Sequence, residues 1–91
     1  MKLVFRAHAI QRLFERGVSV ADVERLLASG RTIEEYPGDF PFPSRLVLGF
    51  IGERPIQIVV AEHRTANEAI IITVYEPNAA EWEPGFAKRK T

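Results

Sequence analysis

The chain has no cysteine, one methionine and one tryptophan among its 91 residues. Without a thiol, disulfides, thiolate nucleophiles and cysteine-based zinc sites are excluded. Long apolar runs are missing too. Ile56–Ala61, interrupted by Gln57, and Ala69–Val74, interrupted by Thr73, fall far short of the ~18 residues a membrane span needs. The opening Met-Lys-Leu-Val-Phe-Arg runs straight into charge and has no secretory apolar region, so a cytoplasmic protein without membrane contact is expected. No GxGxxG, Walker loop, HExxH or GxSxG occurs, and no cofactor is implied. Repeats and low-complexity segments are absent. Net charge is lacking as well, with 12 Lys and Arg against 12 Asp and Glu. A neutral total by itself offers a polyphosphate nothing.

What is present is a 46% hydrophobic, 26% charged chain, the balance of one globular domain over residues 1–91 with residues 79–91 as a C-terminal extension carrying a basic tail. A domain this small builds one modest core, so any site is a shallow surface cleft. The zero charge is a cancellation. Lys2, Arg6, Arg12 and Arg16 stand against Glu15 alone at the start, and Lys88, Arg89 and Lys90 stand unopposed at the end. The acids concentrate between them, with Glu68, Glu76, Glu81 and Glu83 in a stretch without a base. Nine of the twelve cations are Arg, the side chain suited to bidentate phosphate or carboxylate contact. If the fold brings both basic ends onto one surface they form a cationic patch; on opposite sides, a nucleic-acid reading loses its main support.

Periodicity gives the elements. Lys2 to Arg6 alternates as a short strand, and from Ala7 the apolar positions Ile10, Leu13 and Phe14 fall at helical spacing with Ala7, ending at Gly17. Their opposite face carries His8, Arg12 and Arg16, four residues apart in one column. A second helix has Ser19 as N-cap, Asp22 as capping-box partner, Val18 and Val23 as hydrophobic staple, and Gly30 as its stop. Arg31–Tyr36 looks like a strand leading into a loop with Pro37, Pro41 and Pro43, whose Phe40 and Phe42 are expected to fold back over the sheet. Ser44–Ile51 alternates as a half-buried strand, and Ile56–Glu62 and Ala69–Tyr75 complete an antiparallel meander rich in β-branched residues. Trp82 and Phe86 would pin a short C-terminal helical turn to the body. The order β-α-α-β-β-β-β makes an α+β fold, a two-layer sandwich with a helical hairpin packed on a mainly antiparallel sheet.

Chemistry has few places to sit. The His8, Arg12, Arg16 column combines the side chain that titrates nearest neutrality with two guanidinium groups able to stabilise a phosphorane. The same three residues are equally a solvated helix face. Tyr75 closes the last strand as a catalytic hydroxyl or a core-edge aromatic, and Trp82 is a packing anchor whose indole could stack a base. His63 falls at a hairpin turn, exposed and without a role. A His8, His63 and Glu62 metal set has no supporting spacing.

The segment Ala7-His8-Ala9-Ile10-Gln11-Arg12-Leu13-Phe14-Glu15-Arg16-Gly17-Val18-Ser19 with Asp22-Val23-Glu24 resembles the H-A-x-x-R-x-x-E-R-G opening of a small prokaryotic domain family that has no assigned reaction. Ser29–Pro37, Pro41–Gly49 and Thr73–Pro77 with Trp82 resemble its later segments, so the resemblance spans nearly the whole chain. Size and element order also resemble the RelE and BrnT toxins, small endoribonucleases that cut RNA without a metal and are silenced by an antitoxin. That likeness, which is one of fold only, implies a RelE-like arrangement with His8, Arg12 and Tyr75 as catalytic residues. Arg6, Arg16, Arg45, Gln57, Lys88 and Arg89 would then contact RNA. Relatives in this resemblance often carry His where this chain has Gln57, and a Gln cannot transfer a proton at neutral pH; if that position is catalytic in relatives, this chain is either inactive or uses His8 instead. The partners implied are RNA and an antitoxin-like protein. The alternatives are a non-catalytic protein- or RNA-binding module and a homodimer that buries the Phe40 and Phe42 loop.

Overall fold

A computed structural model describes residues 1–91. In chain order the elements are β1 (Lys2–Phe5), α1 (Ala7–Arg16), α2 (Val20–Ser29), β2 (Arg31–Tyr36), β3 (Ser44–Ile51), β4 (Arg54–His63), a 3₁₀ turn (Arg64–Ala66) and β5 (Glu68–Tyr75). They form the α+β arrangement expected, with the five strands in the order β1-β5-β4-β3-β2. β2 to β5 are antiparallel neighbours, and β1 joins the edge parallel to β5, so the sheet is mixed.

The helix boundaries follow their local signals. Gly17, at φ 64°, closes α1 in the left-handed region, and the next amide, Val18 N–H, reaches back to the Leu13 carbonyl at 3.0 Å. At α2 the Ser19 hydroxyl accepts from Asp22 N–H at 3.0 Å and the Asp22 carboxylate accepts from Ser19 N–H at 2.9 Å, so both orphan donors are satisfied. The Ser19 N–H holds the Asp22 carboxyl below the usual carboxylate value. α2 comes close to the sheet because Gly30 and Gly49 lack side chains. A Cβ on Gly30 would lie 2.4 Å from the Leu26 carbonyl oxygen and 2.7 Å from that of Leu48.

Both helices lie on one face of the sheet, α1 over β5 and α2 over β3. Ala9 and Leu13 of α1 and Val23 and Leu26 of α2 pack on Val47, Ile56, Ile58, Val60, Ile71 and Val74. The phase of α1 differs from the apolar pattern. Ala9 and Leu13 face inward, while Ile10 is partly exposed and Phe14 is 85% exposed. The small Ala9 lets the helix backbone approach β5 where a phenylalanine would hold it off. The helix is also tethered at once, because Arg6 N–H bonds the Ile71 carbonyl at 3.1 Å immediately before it begins. In the His8, Arg12, Arg16 column, His8 and Arg16 remain exposed and Arg12 is half-buried.

The other face of the sheet is also covered, by residues 77–91. They form no helical turn. Instead Glu83 N–H bonds the Lys88 carbonyl, Lys90 N–H bonds the Glu81 carbonyl, and Trp82 pairs with Arg89 as an isolated bridge. Trp82 is only 3% exposed. β3 is consequently buried on both faces, with Leu46 and Leu48 under this strap and Val47 under the helices, rather than half-buried as its alternation suggests. In the proline loop Phe42 folds back and stacks on His63 at 4.3 Å between ring centroids, whereas Phe40 points out. His63 is therefore half-buried and holds the loop, not a bare turn residue.

Candidate functional site

The sequence-chosen residues fall into three places. The first is the edge of the sheet beside α1. β1 pairs with β5 only as far as Phe5 and Ile71, so from Ile72 onward no strand flanks β5 on that side, and the first turn of α1 stands there. His8 Nε2 hydrogen-bonds Thr73 Oγ1 at 3.2 Å. One turn further Arg12 pairs with Glu15 at 2.8 Å. At the end of the helix the Arg16 carbonyl accepts a hydrogen bond from the guanidinium of Arg54, whose Nε lies 2.5 Å from Glu76 Oε1. Arg54 thus closes the carbonyl end of α1, where a cation is electrostatically favoured, and ties it to the chain leaving β5. Arg6, at the start of the helix, is exposed. The edge collects a histidine, a hydroxyl and the guanidiniums of Arg12, Arg16 and Arg54 against Glu15 and Glu76.

The second place is the face under the strap. Gln57 and Tyr75 are cross-strand neighbours there. Gln57 is 0% exposed; its Nε2 donates to the Phe86 carbonyl at 3.0 Å, and its Oε1 has no partner. Tyr36 donates to Glu34 Oε2 at 2.5 Å, and burial together with that carboxylate pushes the Tyr36 hydroxyl up to about 12. Burial likewise raises Tyr75, with Arg89 acting against it, so at neutral pH this phenol is a proton donor and not a base. Arg89 lies 3.4 Å from Glu34 Oε1, with its guanidinium carbon 4.5 Å from the centre of the Trp82 ring.

The third place is the far end of β3 and β4. Arg45 donates to Thr32 Oγ1 at 3.0 Å and to Glu62 Oε1 at 3.1 Å. It lines the largest cleft of the molecule with Phe42, Ser44, Glu62, His63 and Arg64. Two cations there meet two acids, Glu35 and Glu62, which leaves the cleft without net charge.

Two readings of the sequence turn on this placement. His8 meets Thr73, which lies two residues before Tyr75 on the same face of β5, so Tyr75 stands next along the strand from the His8 contact, beside Gln57. The two basic ends make no single patch: α1 is on one side of the sheet, and Arg89 is on the other, spent on Glu34, Tyr75 and Trp82. His63 pairs at 4.0 Å with Glu68, at the opposite end of β5 from Thr73. Lys88 is exposed in the strap. Sequence reasoning missed Thr73, Arg54, Glu34 and Tyr36. A signal existed only for the last two, whose register positions on β2 oppose Leu46 and Ser44; nothing local connects Arg54 to Arg16.

Comparison with known proteins identifies the family. The model of a domain of unknown function, DUF4258, matches residues 5–76, and the chain belongs to that family. No curated protein and no solved structure matches it. The matched stretch ends at the residue after β5, where the strap begins. No helix is long and apolar enough to cross a membrane.

Proposed function

We propose that this member of the DUF4258 family is a toxin-type, metal-independent endoribonuclease, similar to the RelE and BrnT toxins, whose chemistry sits at the α1 edge. The observation that carries the reading is the contact of His8 with Thr73. A column with no role would leave the sheet untouched, whereas the exposed His8 reaches an unflanked strand edge one turn before the half-buried Arg12. In the reaction the His8 imidazole takes the proton of an RNA 2′-hydroxyl as its oxygen bonds to phosphorus. The same imidazole returns that proton to the 5′-oxygen as the P–O5′ bond breaks, leaving a 2′,3′-cyclic phosphate and a 5′-hydroxyl. Arg12 and Arg16 offset the charge of the phosphorane. Arg12 must leave Glu15 to do so, and an exposed pair at this helical spacing holds it by only about 0.3–0.5 kcal/mol.

Induced expression in a bacterial host tests the proposal. Wild type arrests growth, and His8→Ala and Arg12→Ala relieve the arrest while accumulating to the same level. Normal growth at high wild-type expression, or arrest that survives both substitutions, contradicts it. One observation favours a second reading, a non-catalytic binding module. The central, fully buried side chain of the other face is Gln57, which holds the strap through its amide and moves no proton. That reading predicts a stable complex with RNA or a protein and no cleavage at any protein concentration.

A further inference from the structure

The strap itself marks a second site, independent of His8 and on the opposite side of the sheet. Its anchor is apolar, the buried Trp82, but beyond that anchor Phe86 and Ala87 are only half-buried, and the polar contacts to the sheet are few: the Phe86 carbonyl on Gln57 and the Arg89 guanidinium on Glu34. Phe86 sits at φ 59°, in the left-handed region that suits glycine and not phenylalanine. The side chain at the centre of the contact is also only half used. An amide that donates to a peptide carbonyl can accept from a peptide N–H, and Gln57 Oε1 is fully buried with no donor. A buried acceptor left empty carries its full desolvation cost. The strap is a poor match for the groove it fills.

We propose that the helix-free groove over Gln57, Tyr75, Tyr36 and Glu34, closed here by residues 83–90 of the same chain, is a docking site for an extended basic peptide of a partner protein, which displaces the strap. An extended peptide presents C=O and N–H groups together and so satisfies both halves of the Gln57 amide. Its Lys or Arg takes the place of Arg89 on Glu34. Charge selects a peptide over RNA. When the strap leaves it removes Lys88, Arg89 and Lys90 and bares Glu34, so the vacated groove is acidic and repels phosphate.

The test uses the full chain and a fluorescein-labelled peptide with the sequence of residues 83–91, followed by anisotropy. Apparent affinity scales with the fraction of molecules whose groove is open. Arg89→Ala, which removes the strap's ion pair and its stacking on Trp82, therefore binds the peptide about tenfold more tightly than wild type. Adding Glu34→Gln, which keeps an acceptor for Tyr36 but loses the charge, takes most of that gain away, and excess oligouridylate does not compete. The proposal is overturned if Arg89→Ala binds no more tightly than wild type, if the gain survives Glu34→Gln, or if oligouridylate displaces the peptide. Far-ultraviolet circular dichroism shows that each variant keeps its fold.

Discussion

On the helix-covered face of the sheet Ile56, Ile58 and Val60 meet Leu13, Val23 and Leu26, whereas on the other face Gln57, Tyr75 and Glu34 meet a strap of fifteen residues anchored by one tryptophan. Burial of apolar area is non-directional and accumulates over many contacts. Polar closure depends on a few geometries, each worth about 1 kcal/mol net. The first face is the permanent core of the domain, and the second is a cover that a competitor can replace. The edge where the two faces meet, beside β5, is where α1 delivers His8.

The contrast is sharpest under mutation of the core. Ile58→Ala empties a fully buried position beneath both helices and is expected to cost about 2–5 kcal/mol in urea unfolding, a large share of a small domain's stability. A loss below about 1 kcal/mol would mean that the helix face is not the main source of stability. A pH change acts on the other face. The Tyr36 hydroxyl is raised to about 12 in the folded chain against an ordinary value of 10.0, so the folded state holds this proton more tightly than the unfolded one. Its contribution is complete below pH 10 and is lost as pH rises toward about 12. Tyr36→Phe should flatten that alkaline decline; a decline unchanged in the variant would place its origin elsewhere. The smallest effect belongs to α1's outward phase. Phe14→Ser is expected to shift stability by no more than about 0.5 kcal/mol, since the ring is already in solvent. A core-sized loss would restore the inward phase that the apolar pattern suggests.

That pattern explains what the sequence discloses and what it hides. Ser19 and Asp22, Gly17 and Gly30, and the β-branched runs of the meander act over a few residues, and each boundary they imply is found within one or two positions. The phase of α1 is set instead by a tether at Arg6 and by the size of Ala9 against β5, neither of which enters a hydrophobic periodicity. The strap is legible only in fragments. Trp82 and Phe86 announce an anchored C-terminal segment, but the bonds that place it join Gln57 to Phe86 and Glu34 to Arg89 across most of the chain. A strand that looks half-buried by alternation has both faces covered over Leu46, Val47 and Leu48 once that segment crosses it. The candidate site shows the same division: the His8, Arg12, Arg16 column is visible at helical spacing, whereas Thr73 and Arg54 reach it only through the fold.

The most direct measurement is cleavage of a fluorescent single-stranded RNA by the purified chain in EDTA, comparing wild type with His8→Ala and Tyr75→Phe. The account predicts cyclic-phosphate products from wild type, a loss of about 10²-fold or more in His8→Ala, and a rate within about twofold of wild type in Tyr75→Phe, because both proton transfers are assigned to His8. Cleavage that persists in His8→Ala, or that is lost in Tyr75→Phe alone, would contradict it and move the chemistry to the face beneath the strap.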